Sequence, residues 1–463
     1  MLQFRFSLCC LAMLAPALVV AQDAEAKLRA DVSQTLKKAA TYYHDKVASH
    51  GGYVYYYTPD LTERWGEGRA TVDTLFVQPP GTPTVGMAYL KAHAATGEKF
   101  YLDAATETGL ALVYGQLQSG GWTQVIHFAQ DKRMGKYRNG KGGSWNVSSL
   151  DDGQTQAALQ MLIKLDQALK FKQAEIHEAV TYGLKALLAA QFANGAFPQV
   201  WQSGVAVHPV VKAKFPEYDW KTEGRVKNYW DYYTLNDNLA GTVADTLILA
   251  QQVYQEEKYQ TALKKLGDFL ILAQMPDPQP GWCQQYNYEM HPIWARKFEP
   301  PAITGWESQD VLETLIKISL YTKSNTYLEP IPKALTYFNK SLLADGKVAR
   351  YYELKTNKPL YMDAKYQLTY DDSAAPAHYG WKQGARFKQI EQAYTAAKEG
   401  KTLTSRSSKD LTTEVSAILK ALDSEGRWIS VYAGEHLVGQ PKFADSFRYI
   451  SSAVFSRNVE TLS

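Results

Sequence analysis

The sequence predicts an all-α fold, an (α/α) toroid of helical hairpins whose long aromatic loops form a groove on one face. Three observations carry this. Apolar residues recur at helical spacing along most of the 463 residues. Continuous β runs are few and short. Glycine-aromatic loops (Gly51-Gly52-Tyr53, Gly120-Gly121-Trp122, Gly195-Ala196-Phe197, Gly281-Trp282) return at intervals of roughly 65 to 85 residues, about two helices plus two loops. An open α-solenoid is the alternative. The long irregular loops argue against it, because solenoid repeats are joined by short ones.

Taken in order, residues 1–21 read as a secretory signal peptide, with Arg5 in the charged region, Leu8 to Val20 apolar, and Ala21 at the cleavage point. Cys9 and Cys10 leave with it, so Cys283 is the only mature cysteine and no intramolecular disulfide is expected. An exported, disulfide-free chain points to a bacterial periplasmic or secreted protein. Helical spacing then marks Ala26 to Ala48, Pro83 to Thr96, Tyr101 to Gln116, Asp152 to Leu169, Ala174 to Gln191, Asn236 to Gln255, Tyr259 to Ala273, Ser308 to Tyr321 and Leu328 to Leu343. Two irregular stretches interrupt the pattern, 127–151 and 201–235, and long loops in a compact helical domain are usually functional. We expect one domain over 22–384 and a helical extension, 385–463, packed on it.

Composition narrows the partners. Apolar residues make up 45% and charged residues 21%, enough for a core. Lys plus Arg number 50 against 47 Asp plus Glu, a net +3, which lacks the basic excess of a nucleic-acid binder. No later segment reaches membrane-spanning length. A monomer is expected.

Several residues could carry chemistry. Asp151 and Asp152 start a helix; they fit an N-cap and a dipole-favoured acid, or oxygen ligands for a hard divalent cation such as Ca²⁺. Asp237 starts a later helix in the same way. The basic run Lys132, Arg133, Lys136, Arg138 and Lys141 fits a solvated surface or a grip on an anionic polysaccharide. Arg296 and Arg350 each stand beside an aromatic residue and a glutamate, suiting a structural ion pair or a carboxylate clamp. Trp122 and Trp282, in two of the glycine-aromatic loops, are candidates for substrate binding, and aromatic residues here equally suit a core. No zinc, Walker, nucleophile-elbow or strand-linked dinucleotide motif is present.

An ordered set of segments between residues 110 and 381 resembles the family 10 polysaccharide lyases, the pectic acid lyases. The set is Ser149-Leu150-Asp151-Asp152, Gly195-Ala196-Phe197-Pro198-Gln199, Tyr232-Tyr233-Thr234-Leu235-Asn236-Asp237, Trp294-Ala295-Arg296-Lys297-Phe298-Glu299-Pro300-Pro301, Ala349-Arg350-Tyr351-Tyr352-Glu353 and Tyr379-Gly380-Trp381. The resemblance implies Ca²⁺-dependent β-elimination on polygalacturonate within an (α/α) toroid. It implies metal-binding roles for Asp151 and Asp237, a catalytic base at Arg296, and substrate contacts from Arg350, Lys358 and Asp152. Asp152 stands where the family more often has Asn, and Lys358 replaces an Arg. Asp363-Ala364-Lys365 lacks the arginine of an Asp-Arg-Asp segment.

The implied chemistry is coherent. A cation on a uronate carboxylate makes the C5 proton more acidic. A base removes that proton, and the C4–oxygen bond breaks to leave an unsaturated sugar. Positive groups stabilise the developing charge more than the ground state. An arginine base implies an alkaline pH–rate limb, because free Arg has a pKa above about 12. Two other functions fit the same frame: a non-catalytic or altered-specificity uronan-binding protein, and a glycoside hydrolase working with two carboxylates.

Overall fold

The computed structural model describes residues 14–129, 134–402 and 408–463. Most of the expected export signal, including Arg5, Cys9 and Cys10, lies outside the described residues, as do Lys132 and Arg133 of the basic run.

The described helices are α1 (Leu14–Tyr42), α2 (Thr82–Thr96), α3 (Lys99–Tyr114), α4 (Gln154–Ala168), α5 (Ala174–Ala189), α6 (Leu239–Tyr254), α7 (Glu257–Leu272), α8 (Gly305–Thr322), α9 (Ile331–Lys340), α10 (Phe387–Lys398), α11 (Ser408–Ala421) and α12 (Ser452–Leu462). Consecutive members pair as hairpins, α2 with α3, α4 with α5 and α6 with α7. The first members, α2, α4, α6 and α8, pack side by side as an inner layer, while α12 extends the row beyond α2 and α10 beyond α8. Burial follows position. Helix α8 is buried on nearly every side, whereas α7 buries one stripe, Tyr259, Ala262, Leu263, Leu266 and Leu270, at the spacing of a single face. The fold is the (α/α) toroid of hairpins.

The recurring loops have a repeated physical cause. A glutamine just past each outer-layer helix donates from Nε2 to the following loop and to the next element. Gln116 reaches Gly120 O and Ala179 O, both at 2.9 Å, and Gln191 reaches Gly195 O at 3.1 Å and Ala262 O at 2.9 Å. Gln274 reaches Pro280 O and Pro330 O, both at 3.0 Å. The loop then hangs its aromatic residue on the next inner helix. The Trp122 amide donates to Thr155 Oγ1 and the Trp282 amide to Ser308 Oγ, each at 3.0 Å. Gly195 has a φ of +94°, and a β-carbon there would lie 1.8 Å from Lys265 O, so only glycine fits the turn.

This arrangement corrects one expectation. Trp122 and Trp282 are wholly buried, and their indole N–H groups donate back to Leu112 O at 2.8 Å and Leu270 O at 2.7 Å. Each seals its loop against the preceding helix, so neither ring can meet a sugar. A buried indole needs a partner for its N–H, and the helix carbonyl supplies it.

Short strands edge the loop face. Ser148–Ser149 pairs with Val200–Trp201, and Tyr233–Thr234 with Gln285–Tyr286. A larger sheet joins the two ends of the chain, in the order Ile429–Val431, Arg448–Ser451, Tyr56–Tyr57, Arg64–Trp65, Arg69–Ala70. With α12 packed on α2, the segment after 384 is tied to the start of the fold by both sheet and helix.

Candidate active site

Two matching turns build the site. Leu150-Asp151-Asp152-Gly153 leads into α4, and Leu235-Asn236-Asp237-Asn238 leads into α6; each follows a two-residue strand. Both take the same left-handed path at their third and fourth residues, with φ of +46° and +72° at Asp152 and Gly153, and +51° and +55° at Asp237 and Asn238. Gly, Asn and Asp are the residues that enter this region most readily. Neither turn uses its carboxylates to cap the helix that follows. The helix-cap reading of Asp151 and Asp152 therefore gives way. Instead Asp151, Asp152 and Asp237 each present an oxygen, and the three lie within 4.8 Å of one another.

These carboxylates border a cavity of about 410 Å³ whose walls also carry Gln199, Tyr229, Gln284, Arg296, Glu299 and Tyr379. Gln199 Nε2 donates to Asp151 Oδ1 at 2.6 Å. Asn236 Nδ2 donates to Asp237 Oδ2, while Asn236 Oδ1 accepts from Gln284 Nε2 at 2.6 Å. Crowding of like charges on one cavity wall shows in the proton affinities. Burial, then Asp151 and Glu67, pushes Asp152 up to about 6. Burial, followed by Asp152 and Asp151, holds Asp237 well above the ordinary carboxylate range. Asp151 is also raised by burial, against the opposing Gln199 hydrogen bond and Arg296 charge.

On the wall of the same cavity, Arg296 forms a two-pronged pair with Glu299, Nη2 to Oε1 at 2.6 Å and Nε to Oε2 at 2.9 Å. Burial disfavours the guanidinium charge. The Glu299 pair outweighs it, so Arg296 holds its proton more tightly than free arginine. Burial alone would raise Glu299, but Arg296 holds its carboxyl below the ordinary value. Tyr379 Oη donates to Glu299 Oε1 at 2.9 Å.

The other expected substrate contacts fall elsewhere. Arg350 is one side chain back from the cavity, its guanidinium 4.2 Å from the Tyr379 ring centre and 3.2 Å from Glu307 Oε1. Its adjacent Glu353 pairs with Lys221 instead. Lys358 is exposed, with Nζ 5.0 Å from the Tyr370 ring centre. Arg138 pairs with Glu178, Nη1 to Oε2 at 2.9 Å, and Lys136 and Lys141 are exposed on the surface. Among the described residues, Arg296 is the sole lysine or arginine on the wall of the central cavity.

The donor set suits a hard cation. All three convergent groups are carboxylates, and Gln285, on the same cavity, has a buried Oε1 without a hydrogen-bond partner. A set of oxygen-only donors favours a divalent ion of the Ca²⁺ type over Zn²⁺. Sequence reasoning missed Glu67, Gln78, Tyr229 and Gln284 at the site. It placed Asp152 with the substrate, whereas its oxygen stands with the metal-type carboxylates.

Residues 116–349, half of the chain, match the family model described as pectic acid lyase, and the chain belongs to that family. It is a polysaccharide lyase of the pectate lyase type. Among solved structures, it is similar to the family 10 polysaccharide lyase from Cellvibrio cellulosa, at 19% identity and a TM-score of 0.46, over 63% of this chain and 91% of that one. A mutant of that enzyme in complex with trigalacturonic acid aligns at 18% identity and a TM-score of 0.47, over 67% of this chain and 96% of that one. The α-mannanase BT2949 from Bacteroides thetaiotaomicron aligns at 10% identity and a TM-score of 0.44, over 94% of each chain. No curated protein sequence matches.

Proposed function

We propose that this protein is an exported, calcium-dependent pectate lyase that cleaves α-1,4-polygalacturonate by β-elimination, giving 4,5-unsaturated oligogalacturonates. The observation that carries the reading is the convergence of Asp151, Asp152 and Asp237 in a cavity that Arg296 also lines. A bound Ca²⁺ would be held by these three carboxylates and would neutralise a uronate carboxylate, acidifying its C5 proton. Gln199 orients Asp151, and the Asn236–Gln284 pair orients Asp237.

Arg296 is the basic group we assign to the C5 proton. Glu299 and Tyr379 fix its direction, and Tyr229 is the cavity tyrosine that could stand in for it. Because the Glu299 pair tightens the Arg296 proton, proton abstraction requires positive charge beside it, and the rate should climb into alkaline pH. Arg350 then serves as a second layer that supports Tyr379. The charged and apolar run over residues 1–21, read as a signal, supports export, and no described helix is long and apolar enough to cross a membrane. The unit that acts is residues 22–384, with 385–463 completing one side of it.

One observation favours a second reading. With Arg350 covered and Lys358 outside the cavity, the described cavity wall offers a uronan a single cation, which fits binding without turnover. The same experiment separates the two. Purified protein on polygalacturonate should raise ultraviolet absorbance with calcium and stop on chelation. No rise under either condition, with oligogalacturonate binding still seen by calorimetry, would establish the binding protein instead.

A further inference from the structure

A second cavity, of about 540 Å³, opens directly off the first, and Asp151, Gln199 and Tyr229 border both. Its walls differ in kind. Trp145, Trp230 and Trp306 are the exposed tryptophans among the described residues, and two of the three, Trp145 at 56% and Trp230 at 36%, border this one cavity. They contrast with Trp122 and Trp282, whose indoles are turned inward to seal loops against helices. A lone exposed aromatic residue is ordinary surface, but two large rings left in water on one cavity form a patch that asks for a partner.

Both rings stand on held main chain. Lys136 N donates to Trp145 O at 2.6 Å, and Gln199 N donates to Trp230 O at 2.9 Å. Gln199 thus grips the Trp230 segment through its main chain and Asp151 through its side chain, which ties this wall to the carboxylate cluster. Charge separates the two cavities. Arg296 gives the central wall one cation, enough for one uronate carboxylate. Among the described residues the second wall carries no lysine or arginine, and its charged members are Asp151, shared with the cluster, and the exposed Asp231. The face of an aromatic ring is itself negative; it attracts the C–H groups of a sugar and repels a carboxylate.

We propose that this second cavity is a subsite for an uncharged sugar ring, stacked on the exposed indoles beside the uronate that meets Arg296 and the carboxylate cluster. A uronate there would set its carboxylate against Asp231 and the indole faces, with no cation to answer it. An uncharged ring, either a methyl-esterified uronate or a neutral sugar of a mixed chain, keeps the stacking and avoids the repulsion. Gln202 and Asn228, also on the wall, supply amides for its hydroxyls. The inference rests on the lyase reading above and adds to it the charge of the neighbouring sugar.

The test compares initial rates of unsaturated product from polygalacturonate, partially methyl-esterified polygalacturonate and a polymer that alternates galacturonate with a neutral sugar, with binding of each followed by calorimetry. The wild type should show a lower KM on a polymer with uncharged neighbours than on polygalacturonate, and the polymer that gains identifies the source of the ring. Trp230→Ala and Trp145→Ala should raise KM on that polymer by about 2- to 10-fold. Asp231→Asn should lower KM on polygalacturonate and narrow the gap. A KM lowest on polygalacturonate, or a preference untouched by both tryptophan substitutions, would overturn the subsite and leave the lyase reading intact. No unsaturated product from any of the three would overturn the lyase reading instead; the subsite then stands or falls on the calorimetry, where the same ranking and the same losses are expected.

Discussion

The turns ahead of α4 and α6 follow the same backbone path but differ at their second residue, Asp151 in one and Asn236 in the other. Each of these side chains takes a hydrogen bond from a glutamine amide at 2.6 Å, Gln199 for Asp151 and Gln284 for Asn236. The geometry is duplicated and the charge is not. Asn236 spends its amide on Asp237, so the second turn supplies one carboxylate and the means to aim it. The first turn supplies two carboxylates, and Asp152 leans on Gln78 from another part of the chain. A repeated scaffold has thus been loaded unequally, with three carboxylates in all, a set that could hold a metal ion.

The account can be broken at several points along that comparison. The largest expected effect is at the cation that lines the same cavity: Arg296→Ala should lower kcat by about 10²–10⁴-fold while calcium still binds, measured by initial rates and calorimetry. Next is Gln199→Ala, which leaves Asp151 unaimed and should weaken calcium about 10–100-fold; the same titration on Gln284→Ala asks whether the neutral turn depends equally on its glutamine. Asn236→Asp makes the turns equal in charge. It removes the amide donated to Asp237 and should lower cation-free stability by about 1–3 kcal/mol, with calcium restoring more than it does for the wild type, read from denaturant midpoints.

The smallest effect is in pH. Asp152 is raised from 3.8 to about 6, so the folded state binds a proton that the unfolded state releases. Cation-free stability should therefore fall as pH rises from about 4 to about 6, and be regained by protonation as pH falls. On the proposed reading, a bound calcium ion would take the place of the proton. The calcium-induced rise in Tm should be greatest at neutral pH and fade below about pH 6.

Much of this was legible in the chain. Helical spacing and the recurring loops carry the hairpin frame, and the Leu150-Asp151-Asp152 and Leu235-Asn236-Asp237 segments mark the two turns. The tryptophans of the loops misled because an aromatic residue after glycine reads alike whether it faces a ligand or seals a helix end. The indole N–H to Leu112 O decides it, and no sequence pattern reports that bond. Gln78 was missed because it reaches Asp152 across more than seventy residues with no local motif, and Glu67 because it joins the site through Gln78. Arg350 reads as a structural ion pair or a carboxylate clamp; folding makes it an ion pair, with Glu307 in place of the neighbouring Glu353, and covers it with Tyr379. Local spacing finds the turns; only packing shows which charges remain free.

The most direct measurement of the central claim is a calorimetric calcium titration of the wild type, Asp151→Asn and Asp237→Asn, all stripped of metal beforehand. If the two turns hold one ion, the wild type binds it with a single isotherm, and a substitution in either turn weakens it by more than the roughly 10–100-fold that an outer partner costs. Wild-type affinity retained by Asp237→Asn would contradict the account, because the second turn would then contribute no ligand.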